Sequence, residues 1–199
     1  CMASITKEVN SDILVVLGGA HPSCNPELVL KDNNVDVVVR GEGEYTLLDI
    51  VNAFKDGKNI DNIPGTAVRK NNSICVNAPR PLIEDLDVLP LPARHLLPMQ
   101  IYFKNASRST LYNMRNPFAT IITSRGCPMH CVYCAVMTIW GRTWRARSAV
   151  KVVDEIELLV KNYGVREIHF SDDNISVNKN RIVGICNEII KRKIDIRWA

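Results

Sequence analysis

Residues 127–134 read Cys127-Pro128-Met129-His130-Cys131-Val132-Tyr133-Cys134, and they follow closely on the mostly apolar run Ala119–Ile122. The run predicts a buried strand, and the proline and clustered thiols predict a loop at its carboxyl end. Downstream, Ser148 offers an N-cap for a helix through Tyr163, with Val152, Val153, Ile156, Leu159 and Val160 on one face and Gly164 at its end. Val165 to Phe170 predicts the next strand. A second helix from about Lys179 to Arg192 is expected to bury Ile182, Ile185, Cys186, Ile189 and Ile190, and Ile194 to Trp198 starts a third strand. Strands alternating with helices in this way form a parallel sheet, so this part of the chain is α/β with the cysteine loop after its first strand.

The residues before the loop repeat the alternation. Ile13 to Leu17 predicts a strand that runs into the Gly18-Gly19 turn, Pro26 to Lys31 a short helix, and Val35 to Val39 a second buried strand. Glu44 to Phe54 predicts a helix carrying Leu47, Leu48, Val51 and Phe54 on one face. Thr66–Lys70 and Ser73–Asn77, joined by Asn71-Asn72, predict a hairpin whose asparagines tolerate positive φ. Residues 79–98 then hold Pro79, Pro81, Pro90, Pro92 and Pro98, half of the ten prolines in the chain, which marks a linker. The expected division is residues 1–78, a linker 79–112, and residues 113–199.

Composition narrows the class. With 46% hydrophobic and 23% charged residues over 199 positions, the chain suits one or two ordinary cores. No apolar run approaches the ~20 residues a bilayer demands, and the N-terminal residues show no signal-peptide pattern. Seven cysteines form an odd count, and Cys1, Cys24, Cys75 and Cys186 are scattered, so a reducing, cytoplasmic setting is expected. A net charge of +4 is too mild to imply nucleic acid by itself. Trp140 to Ser148 interleaves aromatic and basic side chains, and solvated arginines flanking a helix start explain it better than a nucleic-acid patch.

Three thiolates on one short loop suit an iron-sulfur cube: each takes one iron, and the fourth iron is left open for an outside molecule. Loops at the carboxyl ends of parallel strands are where such folds place their ligands. The alternatives are a zinc site with His130 as fourth ligand, in a structural module contacting nucleic acid, or three merely buried thiols.

The CxxxCxxC spacing, with Tyr133 just before the third cysteine, resembles the motif of the radical S-adenosylmethionine enzymes. That resemblance implies that Cys127, Cys131 and Cys134 ligate a [4Fe-4S] cluster whose fourth iron chelates S-adenosylmethionine, with Tyr133 packing near the cofactor. One electron then splits the sulfonium into a 5'-deoxyadenosyl radical that abstracts hydrogen from substrate. Asp172 and Asp173, in Ser171-Asp172-Asp173-Asn174, stand where the family contacts the methionine amino group, often through Gly-Gly-Glu.

The stretches Val15-Val16-Leu17-Gly18-Gly19-Ala20-His21-Pro22-Ser23, Arg40-Gly41-Glu42-Gly43-Glu44 and Leu86 to Arg94 are similar to the cobalamin-associated branch of that family. The implied fold is the C-terminal part of a Rossmann-like cobalamin-binding domain, followed by the first βα units of a radical S-adenosylmethionine partial TIM barrel. Gly18 and Gly19 then let cobalamin approach the backbone. No histidine sits in the Asp-x-His-x-x-Gly pattern that supplies cobalt's lower ligand in many cobalamin proteins. The resemblance also implies cobalamin-dependent methyl transfer, or an oxidative cyclase or rearrangement activity. It further implies a small-molecule or lipid-like substrate and a low-potential electron donor of the flavodoxin or ferredoxin type. The chain is expected to be a fragment of the full enzyme.

Overall fold

A computed structural model describes residues 2–71, 73–106 and 113–199. Asn72 of the expected Asn71-Asn72 turn and the end of the expected linker, residues 107–112, lie outside the described residues. The chain divides into two compact units, Cys1–Ile83 with Thr138–Trp140, and Glu84–Met137 with Gly141–Ala199.

The first unit runs α1 (Met2–Val9), β1 (Val16–Leu17), α2 (Ala20–Cys24), α3 (Pro26–Val29), β2 (Val37–Val39), α4 (Glu44–Lys55), β3 (Thr66–Lys70) and β4 (Ser73–Val76). Its sheet has the order β1-β2-β3-β4. β1 pairs parallel to β2, and β3 and β4 are added antiparallel. All three valines of β2 are buried because both sheet faces are covered, and successive side chains point to opposite faces. Val37 and Val39 pack with Ile50 and Val68, whereas Val38 joins Ala3, Leu30 and Val35. The parallel pair places the Gly18-Gly19 turn at the carboxyl end of β1 and Arg40-Gly41 at that of β2.

Helix α4 departs from expectation. Leu47, Leu48, Val51 and Phe54 are each about half exposed, while Thr46 and Ile50 are the buried positions. The apolar stripe is there, but the sheet covers only its Ile50 edge. Leu47, Val51 and Phe54, with Ile13 and Leu14, instead line an open groove of about 620 Å³.

The second unit runs α5 (Met99–Ala106), β5 (Phe118–Ile121), β6 (Ser124–Arg125), α6 (Val136–Ile139), β7 (Arg145–Ala146), α7 (Ala149–Tyr163), β8 (Glu167–Phe170), α8 (Lys179–Lys191) and β9 (Arg197–Trp198). The last residues of α6 fall within the first unit. β5, β8 and β9 form a parallel sheet in that order, in register from Phe118 opposite Glu167 to Ile121 opposite Phe170. The core lies between sheet and helices: Val152, Val153, Ile156 and Leu159 of α7 and Ile185 and Ile189 of α8 pack on Ala119, Ile121 and Ile168. At about 25 cal/mol per Å² of apolar surface, burying each such side chain contributes roughly 1.5–3 kcal/mol. Ser148 caps α7 by accepting from the Lys151 amide, and Gly164 ends it in the left-handed conformation. On α8, Ile190 is exposed rather than buried. It follows Ile185 by five positions, which carries it well off the face that Ile185 and Ile189 share.

The proline-rich stretch holds more structure than a bare linker. Leu86–Val88 and Arg94–Leu96 form single 3-10 turns, and α5 follows. Asp87 accepts from the Ser148 amide at 2.9 Å, and Arg94 pairs with Glu155 at 2.6 Å, so this segment is stitched to the start of α7.

Candidate functional site

The cysteine loop leaves the sheet after β5 and is closed at its base by a short ladder. β6 pairs antiparallel with β7, Ser124 opposite Ala146 and Arg125 opposite Arg145, so residues 126–144 form an excursion on a two-stranded stem. This ladder was not expected from the sequence. Two-residue strands are too short to show a period, and its residues read as the edges of a loop.

Within the excursion, Cys127 and Cys134 are partly buried and Cys131 is exposed; all three are free thiols. The Cys134 amide bonds to the Cys131 carbonyl at 3.3 Å, which bends the chain between the second and third cysteines. Val132 and Tyr133, at that bend, are almost wholly exposed. Arg142 donates to the Met129 carbonyl at 3.0 Å, contacts His130 Nδ1, and reaches Met137 Sδ at 3.3 Å, tying together the two sides of the cysteine segment.

Gly126, just ahead of Cys127, is a residue the sequence reading missed. Its φ of +81° lies in the left-handed region, and an added Cβ would stand 2.4 Å from the Thr143 carbonyl oxygen and 3.1 Å from that of Gly141. Only glycine fits where the two limbs of the loop cross so closely. The glycine directly before the first cysteine was the available signal.

The two aspartates after β8 grip the strand-to-loop segment. Asp172 accepts from the Thr123 amide, from Thr123 Oγ1 at 2.9 Å and from Ser124 Oγ. Thr123 and Ser124 are buried. Asp173 accepts from the Gly126 amide. Burial pushes the Asp173 carboxyl up from its ordinary value; the Gly126 hydrogen bond opposes that and the neighbouring Asp172 adds to it. Both carboxylates thus face the loop, as their position at the strand end requires.

Of the three arginines between Trp140 and Ser148, Arg142 is exposed as expected, but Arg145 and Arg147 are not solvated. Arg145 is buried, and Arg147 pairs with the buried Glu155 and donates to the Lys151 carbonyl at 3.0 Å. The charge of Arg147 is met by acceptors on α7, because the stem folds its side chain back onto that helix.

In the first unit, Gly18 and Gly19 sit at the carboxyl end of β1. Gly19 has φ 105°, and its carbonyl accepts from Ser23 Oγ at 2.6 Å, which in turn accepts from the Gly41 amide at 2.9 Å. Ser23 therefore joins the loops that follow both parallel strands.

The donor chemistry of the cysteine loop fits an iron-sulfur cluster: three thiols, none oxidised to a disulfide, on one short loop. Among the described residues, no three His, Cys, Asp or Glu side chains are arranged to hold a single metal ion. A cube asks something different of its ligands, one thiolate for each of three irons. His130 has its Nδ1 engaged by Arg142.

Comparison with known proteins agrees with this layout. Residues 121–199 match the Radical SAM superfamily and residues 2–51 the B12 binding domain. The chain belongs to the radical S-adenosylmethionine enzymes that carry a B12-binding domain. It is 37% identical, over its whole length, to an uncharacterised methyltransferase of Pyrococcus horikoshii, of which it spans 41%. It is 35% identical over 98% of its length to the anaerobic magnesium-protoporphyrin IX monomethyl ester cyclase of Rubrivivax gelatinosus, spanning 34% of that protein. The cobalamin-dependent S-adenosylmethionine radical enzyme OxsB, solved with aqua-cobalamin bound, superposes with a TM-score of 0.74 at 21% identity, over 98% of this chain and 27% of that one. The last likeness shows the fold. The chain thus spans well under half the length of the relatives it matches.

Proposed function

We propose that the full protein is a cobalamin-dependent radical S-adenosylmethionine methyltransferase. The observation that carries this reading is the CxxxCxxC loop, closed on its own stem at the carboxyl end of a parallel βαβ unit, in one chain with a B12-binding segment. Cys127, Cys131 and Cys134 would hold a [4Fe-4S] cluster, which supplies one-electron reduction of S-adenosylmethionine bound at its open iron. Around it, this chain's own residues do the positioning. Asp172 and Asp173 fix the segment that leads into Cys127, and their carboxylates give the site a negative wall suited to the ammonium group of the methionine moiety. Tyr133, exposed beside Cys134, offers an aromatic face to the cofactor. Gly18 and Gly19, with no side chains at a strand's carboxyl end, leave backbone open to cobalamin.

Among the described residues no helix is long and apolar enough to cross a membrane. The protein works in the cytoplasm, where its free thiols stay reduced, with a flavodoxin or ferredoxin as electron donor and a small-molecule or lipid-like substrate. Its identity to a cyclase supports a second reading, in which the same radical closes a ring.

Anaerobic reconstitution of the full protein tests the first level of this proposal. About four irons and four sulfides per chain, with an absorption that changes on adding S-adenosylmethionine, are expected. Cys131→Ala should fall to a small fraction of that iron while Cys186→Ala keeps it; one zinc and no sulfide in the parent protein would refute the reading. Methyl-labelled S-adenosylmethionine then separates the two reactions, since only methyl transfer carries label into product.

A further inference from the structure

Arg181 lies in the first turn of α8, far in sequence from the cysteine loop, yet its guanidinium reaches both limbs of the stem. Nε donates to the Arg147 carbonyl at 2.7 Å, on the outgoing limb. The outer Nη2 donates to the Thr123 carbonyl at 3.0 Å and to Thr123 Oγ1 at 2.6 Å, on the incoming limb. Thr123 Oγ1 in turn donates to Asp172, so a chain of hydrogen bonds runs from α8 through the incoming limb to the end of β8. Arg147 also donates its amide to the Thr123 carbonyl at 2.9 Å. The face of the guanidinium lies 5.8 Å from the ring centre of Trp144, whose indole N–H bonds to the Asn174 carbonyl.

Asp172 and Asp173 hold the incoming limb and Glu155 the outgoing one, whereas Arg181 bonds to both. A two-stranded ladder two residues long is marginal in water, and the excursion it closes carries every proposed cluster ligand. Arginine suits the bridging task because its rigid planar fork presents several donors at fixed spacing, so separate nitrogens of one side chain reach the two limbs, where lysine would have to meet both from a single nitrogen on a flexible stem.

We propose that Arg181 is a positioning residue for the iron-sulfur site: by clamping Thr123 to Arg147 it sets the spacing of the limbs that present Cys127, Cys131 and Cys134. The inference rests on the cluster reading given above. It assigns Arg181 no contact with cofactor or substrate.

The test uses the full protein in four forms: parent, Arg181→Met, Arg181→Lys and Arg192→Met. Arg192 sits at the far end of the same helix, where it pairs with Asp154, Glu157 and Glu188 and touches no part of the stem. After anaerobic reconstitution, iron release to a chelator, the electron paramagnetic resonance of the reduced cluster with and without S-adenosylmethionine, and thermal unfolding are measured. Arg181→Met should release iron about tenfold faster than the parent and change the resonance line shape, as loss of a supporting hydrogen bond around a metal site does. Arg181→Lys should fall between the two. Arg192→Met should lower the unfolding temperature and leave line shape and release unchanged.

Parent-like release and line shape in Arg181→Met overturn the proposal, and so does faster release that Arg192→Met matches. Should Arg181→Met fail to fold, Arg181→Lys decides by the same two readouts. A parent protein that takes up no iron and sulfide refutes the cluster reading itself; a loaded parent with an equally stable Arg181→Met cluster refutes only the role of Arg181.

Discussion

At the scale of single residues, the second unit keeps two carboxylates almost wholly out of water and answers each with specific partners. Glu155, buried in α7, meets Arg94 from the preceding segment and Arg147 from the loop's outgoing limb. Replacing one member of such a buried group leaves uncompensated charge behind, which costs far more than the intact pairing contributes. Glu155→Gln is therefore expected to destabilise the protein by about 3–5 kcal/mol, read from denaturant unfolding, because two guanidinium groups lose their counterion. The cysteines and both aspartates were legible in the sequence as residues following the carboxyl ends of parallel strands. Thr123, Arg181 and Gly126 were not, since their importance comes from atoms far along the chain: Arg181 bonds to carbonyls of Thr123 and Arg147, and Gly126 is hemmed in by Thr143.

At the scale of elements, sequence patterns located strands and helices wherever a period could build up. α7 follows its expected caps and apolar face closely, and α8 follows its expected bounds and, apart from Ile190, its apolar face. β1 is shorter than its apolar run, two residues against the five of Ile13–Leu17, because the parallel ladder with β2 begins only at Val16 opposite Val37. Helices α1 and α5 were not anticipated; both are short and mix polar and apolar residues in the way that loops do. The stem was invisible for the same reason. Its tightest joint gives a direct measurement: Gly126→Ala places a methyl group against two backbone carbonyls at a positive φ, a strain of about 1–3 kcal/mol before any clash is relieved. Circular dichroism should show a folded protein, whereas iron uptake after reconstitution should fall several-fold. Unchanged uptake would mean that the crossing of the limbs is not what presents the thiols. Ser148→Ala, which removes the cap of α7, is expected to cost about 1 kcal/mol in denaturant unfolding and to leave iron uptake alone.

At the scale of the whole molecule, pH acts on the second unit through Glu167. Burial pushes its carboxyl up, but hydrogen bonds from His169 and from the Met114 and Arg115 amides outweigh that and hold it below the usual carboxylate range. A carboxyl depressed in the folded state stabilises fully above its unfolded value, and that stabilisation is lost as pH falls through the folded one. Acid unfolding followed by circular dichroism should therefore set in below the ordinary carboxylate range. Glu167→Gln should already be weaker at neutral pH and show a flatter acid limb; an identical acid limb in both proteins would rule out Glu167 as its source. Asp195, held down by Arg115 first and then by Arg166, adds in the same direction with less weight because it is solvent-exposed.

The short ladder at the foot of the cysteine excursion also bears on how such a chain tolerates change. Because Ser124–Arg125 and Arg145–Ala146 close on each other before the parallel strands resume, residues added or lost between Cys134 and Gly141 need not shift the pairing of Phe118–Ile121 with Glu167–Phe170. The segment beyond Cys134 is in that sense a graft on the sheet, able to change length while the scaffold beneath keeps its register.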